Sequence, residues 1–186
     1  MGGFGIPPPG GNQGSEIVNE ARATQLMTIF VDVFRRNARP IMTEVGEETA
    51  SEFVDELKFR IASQAFHHRP LNPDYLRGKI RSGLDPRTLI ATGEYLDSIM
   101  YEQLDDEAGQ IAFRCSVRPG VHGPSGLSYR MLARIHEFGA RRGGRIHVPA
   151  RPHWRPMAAL YRDRAPELGR RLRTRLVQRV REGMAE

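Results

Sequence analysis

A chain of 186 residues is the size of one domain with attached arms, and two full domains would be cramped in it. The hydrophobic share of 39% is enough to build a core in water, and no apolar run approaches the roughly 20 residues needed to cross a bilayer; without a charged-then-apolar leader either, the chain is expected to be soluble and made in the cytoplasm. The net charge of +6 and pI near 10.1 admit a polyanionic partner, but Lys58 and Lys79 are the only lysines, and an arginine skew of this kind arises from a GC-rich genome as readily as from function.

Residues 1–14 are dominated by glycine and proline and offer too little apolar surface to offset the entropy of ordering. They read as a flexible arm, with Phe4 and Ile6 as apolar handles for a neighbour, ahead of a single α+β domain over residues 15–186. Ser15 has the chemistry of an N-cap for a helix carrying Ile17, Ala21, Met27 and Phe34, and Pro40 is expected to end it. In a second helix Ile41, Val45, Thr49, Phe53, Leu57, Ile61 and Ala65 recur every four residues, with Met42, Val54 and Ala62 widening the stripe, which predicts one buried face.

The prolines between His67 and Pro73 force the chain out of that helix, and residues 73–82 predict a short helix stopped by Gly83. After a turn at Asp85-Pro86, Thr92 is expected to cap one or two helical turns whose apolar side is Tyr95, Leu96 and Ile99. Residues 99–104 and 111–117 predict an antiparallel hairpin across an acidic turn at 105–109, with Ile111, Phe113 and Cys115 on one face. Cys115 is the only cysteine, which excludes an internal disulfide or cysteine zinc site and reads as a buried structural thiol.

Beyond a loop at 118–126, Tyr129, Leu132, Ala133 and His136 fall at helical spacing, with Gly139 as a left-handed stop, and residues 145–148 predict one more strand. From Pro152 a single helix is expected, leading from Trp154, Met157, Leu160 and Tyr161 through Leu168, Leu172, Leu176 and Val180. The order implies an α+β fold in which a small antiparallel sheet packs against N-terminal and C-terminal helices.

The histidines lack ligand-like spacing, and His136-Glu137 begins like a zinc-protease motif without its second histidine. Ser98, Ser125 and Ser128 have no nucleophile-elbow context, Asp105-Asp106 sits in a turn, and the glycines from 139 to 144 lack a P-loop lysine. No catalytic residue, metal or cofactor is expected. Three readings stand for Arg141, Arg142 and Arg145, for Arg151 with Arg155, and for Arg170, Arg171, Arg173 and Arg175 of the last helix. They line a DNA path, they meet acidic surfaces of adjacent subunits, or they solvate an outer face.

Three segments occur in order: Thr92, Gly93, Leu96, Ser98 and Ile99; then His136, Glu137, Phe138 and Gly139; then Pro149, Ala150, Arg151 and Pro152. Together, over residues 89–160, they resemble the tail-completion or virion-morphogenesis family of tailed phages, which includes minor tail, neck and tail-terminator proteins. The match departs at His153-Trp154, where that family places an aromatic or aliphatic residue directly after the proline. The resemblance implies a structural, non-enzymatic virion protein, assembled in the host cytoplasm into a homo-oligomeric ring, with a hexamer as the expected count. Such a ring terminates the tail tube or joins tail to head, against neck, connector and tube proteins. Residues 1–14 and 118–126 would order on contact, and Arg151, fixed between Ala150 and Pro152, would reach another subunit or its own sheet. The alternative is a basic protein contacting DNA non-specifically, with no membrane partner in either case.

Overall fold

The computed structural model describes residues 13–105, 110–142 and 145–184. The elements run α1 (Gln13–Ala62), α2 (Pro73–Arg81), α3 (Glu94–Ser98), β1 (Ile99–Asp105), β2 (Ile111–Val117), α4 (Tyr129–Phe138), β3 (Ala140–Arg142), β4 (Arg145–Val148), α5 (Trp154–Asp163) and α6 (Ala165–Gly183). The fold is α+β, as the pattern of elements implies, with β1–β2 and β3–β4 as two antiparallel pairs. Residues 1–12 of the expected arm and 106–109 of the expected acidic turn lie outside the described residues.

Two helices were expected on either side of Pro40, but α1 is one helix that runs through it and starts ahead of Ser15, which therefore does not cap it. A proline inside a helix removes one hydrogen bond and crowds the carbonyl four residues back, at about 3 kcal/mol. Pro40 is exposed, with long helical runs on both sides to propagate across it.

Contacts gather the chain into two units. In the unit formed by residues 42–172, Val54, Leu57 and Ile61 of α1 meet Ile90, Tyr95, Ile99, Tyr129 and Met157 in one core, rimmed by Phe53, Leu132, Ala133, Trp154 and Tyr161. The predicted stripe is thus the buried face of α1, except that Met42 is exposed and Ala65 lies past the helix end. Ile99 pairs with Val117 and Asp105 with Ile111 across the hairpin. Its Phe113 ring lies against Gly46 so closely that a Cβ there would sit 2.5 Å from the ring, and Cys115 Sγ is 3.9 Å from Ala50 O. Glu56 of α1 holds Arg60 and Arg164, both at 2.7 Å, which ties the α5–α6 junction down.

The other unit contains residues 13–41 and 173–184. Here Val33, Ile41 and Val180 are buried, while Met27 and Phe34, expected on the inner face, are exposed. The buried face turns on Val33 because Gly183 of α6 closes on it; a Cβ at Gly183 would lie 3.0 Å from Val33 Cγ1. The side chains of Ile17 and Ala21 lie outside the described residues.

Two further expectations change. Strand β3 was not anticipated, because Ala140-Arg141-Arg142 carries no apolar alternation; it forms by pairing Ala140 with Val148 and Arg142 with Arg145. The single C-terminal helix is two, broken at Arg164, because Pro166 has no N–H for the carbonyl of Arg162 and suits only the first turn of a new helix.

Candidate functional site

The approach to α3 is built by local hydrogen bonds. Asn72 Oδ1 caps α2 through Asp74 N at 2.8 Å, and Lys79 on that helix is buried, with Nζ donating to Arg87 O at 2.9 Å and to Ile90 O. Gln64 pairs with Thr88 in both directions at 3.0 Å, so the loop into α3 is held from two sides. Gly93, not Thr92, is the N-cap of α3; its φ of +90° is a conformation glycine adopts without strain. Thr92 stands one position earlier, exposed, with Oγ1 accepting from Glu94 N at 3.5 Å. Ser98 is fully buried, Oγ donating to Tyr95 O at 2.6 Å, while Ile99 and the half-buried Leu96 join the core.

The loop at 118–126, expected to order only on contact, already carries its own bonds: His122 N to Leu127 O at 2.8 Å, His122 Nδ1 to Ser125 Oγ at 2.9 Å, and Gly123 N to Glu94 Oε2 at 2.9 Å. Those bonds pin it within the chain. Ser128 then caps α4 through Met131 N at 3.2 Å.

Gly139 ends α4 at φ +76°, ψ 176°, outside the left-handed helical region expected for it and in a region almost confined to glycine. A Cβ there would lie 2.7 Å from Val148 O, so this glycine serves both the backbone turn and the close passage of β4. Phe138 is exposed beneath the Arg155 guanidinium, which is 5.0 Å from the ring centroid. With Met131, Arg134, Ile135 and Gly139 it lines a shallow groove of about 390 Å³.

Glu137 is the centre of the arrangement. Only 5% exposed, its carboxylate accepts from His153 N (3.0 Å), Trp154 N (3.1 Å), Arg155 N (3.1 Å) and Arg155 Nε (2.8 Å). It thus caps α5 from a distant point in the chain, satisfying N–H groups that a helix start leaves without partners. Burial opposes its charge, but the bonds from Arg155 and the three backbone N–H groups outweigh that and hold the carboxyl below its ordinary pKa. Pro152, expected in the first turn of this helix, instead precedes the N-cap His153.

His153 is fully buried, with Nε2 2.6 Å from Tyr95 OH and Nδ1 3.1 Å from Arg151 O; Trp154 Nε1 donates to the same phenol at 3.3 Å. The His136 ring stands edge-on to Tyr95, 5.3 Å between centroids, and His136 O accepts from Arg151 N at 2.6 Å. Burial, then the charges of His153 and Arg151, push the His136 pKa down to about 3, and burial lowers those of His153 and His68. Arg151 is buried between the half-buried Pro152 and the exposed Ala150, and Pro149 is half-buried.

The three motif segments therefore meet in one knot: α3 through Tyr95, the end of α4 through His136, Glu137 and Gly139, and residues 149–152 through Arg151. The polar roles of Tyr95, His153 and Trp154 in the knot, and of Lys79 beside α3, leave no spacing pattern in the sequence beyond the His-Trp pair after Pro152. Among the described residues no three His, Cys, Asp or Glu side chains are placed to hold a metal.

Arg151 and Arg155 belong to the knot; the other basic residues singled out from the sequence do not gather here. Arg141 is exposed on β3, and the side chains of Arg142 and Arg145 lie outside the described residues. Arg170 meets Glu167 at 3.5 Å, Arg171 meets Glu52 at 3.0 Å, Arg173 is exposed and Arg175 half-buried. Compared with protein-family models, curated proteins and solved structures, the chain matches none.

Proposed function

We propose that the chain is a structural protein of a tailed-phage virion, at the neck or tail end, assembling as a ring of its own copies that terminates the tail tube or joins tail to head. One observation carries the reading: the three segments resembling the tail-completion family pack into a single knot in which the polar groups of Glu137 and Ser98 are spent on shape. Glu137 caps a helix, Gly139 allows a backbone crossing and Ser98 closes a turn, so their chemistry is architectural and the reading assigns them no catalysis. The exposed Phe138 and Met131 along α4, with Leu26, Met27 and Phe30 on α1, supply apolar surface for contacts with neck, connector and tube proteins. The second reading, non-specific contact with DNA, draws on the exposed Arg141 and Arg173, while Arg170 and Arg171 each face a glutamate in an exposed ion pair.

The test is electron microscopy of the purified protein and its parent particle, with sedimentation velocity. Closed rings of six or twelve copies, found at the neck or tail end, are expected. A persistent monomer that is absent from particles would overturn the reading.

A further inference from the structure

Arg151 is the only arginine buried among the described residues, at 6% exposure. Its backbone is fixed on both sides, N donating to His136 O at 2.6 Å and O accepting from His153 Nδ1 at 3.1 Å. Its side chain is less well provided for. Nε is buried without a hydrogen-bond partner among the described residues. A guanidinium cannot discard its proton to escape this, unlike a buried lysine or histidine.

The surroundings deepen the imbalance. Lys79 bears on Arg151 with a second buried positive charge, and its ammonium is bonded to two carbonyls rather than to a carboxylate. Arg69 and Tyr75, both exposed, and His68 lie within electrostatic reach of the guanidinium, and His68 Nε2 is itself buried and unpartnered among the described residues. The nearby acids are committed elsewhere: Glu137 to four donors at the start of α5, Asp85 to Arg87 at 2.6 Å. A buried guanidinium with an unpartnered donor, amid positive charge, is what a planar or tetrahedral oxyanion complements.

We propose that Arg151, its Nε buried and unpartnered among the described residues, forms an oxyanion site that takes a carboxylate or phosphate group on its guanidinium. Two sources share this chemistry, a free anion and a side-chain carboxylate from a second copy of the chain. The site needs no ring, since a monomer that binds phosphate also carries it.

The full chain is melted in sodium phosphate, sodium acetate and sodium chloride at matched ionic strength, with sedimentation velocity in each. A saturable rise in Tm with phosphate or acetate, absent with chloride, is expected. Arg151→Gln should weaken the anion response at least tenfold and Arg151→Lys by less, while Arg141→Gln, on an exposed residue, leaves it unchanged. If the anion is a neighbour's carboxylate, wild type self-associates in chloride, phosphate dissociates it, and Arg151→Gln is monomeric throughout. If wild type responds to ionic strength alone in both measurements, or Arg151→Gln responds to phosphate as wild type does, the site is refuted. Should Arg151→Gln not fold, the wild-type titrations and Arg69→Gln, expected to weaken the response, decide.

Discussion

Glu137→Gln preserves the volume of the side chain, removes its charge and replaces one acceptor oxygen with a donor. Whichever way the amide turns, its nitrogen confronts two N–H groups, either those of His153 and Trp154 or the backbone and Nε of Arg155. Two hydrogen bonds to a charged acceptor, at about 1.5–3 kcal/mol each, are lost. The neutral amide avoids part of the desolvation cost of the carboxylate, leaving a net loss of about 2–4 kcal/mol. At roughly 2–4 °C per kcal/mol for a chain of this size, Tm should fall by about 4–16 °C. Urea unfolding followed by helical circular dichroism should show a lower midpoint with an unchanged slope. Arg155→Ala is the control: that side chain is 63% exposed, so losing its ion pair should cost under about 1 kcal/mol. A Glu137→Gln protein within about 0.5 kcal/mol of wild type, or no less stable than Arg155→Ala, would refute the assignment of Glu137 as the cap of α5.

Stability should also fall in mild acid. Burial pushes the His136 pKa down to about 3 in the fold against an ordinary 6.5, so the unfolded chain takes up the proton first and stability declines from pH 6.5 downward, by about 1.4 kcal/mol per pH unit. His153 and His68 are lowered too and add to the loss, and Glu137 joins below 4.5; a urea midpoint that stays flat from about pH 7.5 to about 5 would contradict this. Gly139→Ala meets both a forbidden backbone region and the Val148 carbonyl, and should cost more than about 2 kcal/mol by chemical denaturation; a neutral result would mean that α4 ends differently. Pro40→Ala restores a helical hydrogen bond at an exposed position and should raise stability by about 2 kcal/mol once the looser unfolded chain is counted. No gain, or a loss, would argue that α1 does not run through Pro40.

What the sequence disclosed was local or periodic. The stripe through Leu57 and Ile61 shows because one α1 face is buried over several turns, and the hairpin shows because apolar residues flank an acidic, glycine-bearing turn. Pro40 misled because helix interruption by proline is a cost that long flanking runs can absorb. Pro166, by contrast, does begin a new helix, and nothing in its immediate neighbours separates the two cases. The motif residues were visible one segment at a time, but the bond from Glu137 to the start of α5 spans 16 to 18 positions and leaves no periodic trace. Arg151 was legible as a position and not as a buried charge, since its burial is set by tertiary packing, as in the bond from its N–H to His136 O at the end of α4.

The near absence of lysine has a practical bearing on how any assembly of this chain can be mapped. Lys79 holds its ammonium against two carbonyls beneath the surface, and Lys58 is half-buried, so side-chain amines offer covalent reagents little purchase. Succinimidyl crosslinkers would leave subunit neighbours almost unrecorded even in a tight complex. Carboxylate-directed coupling, aimed at exposed acids such as Asp74 and Glu102, would report those neighbours instead.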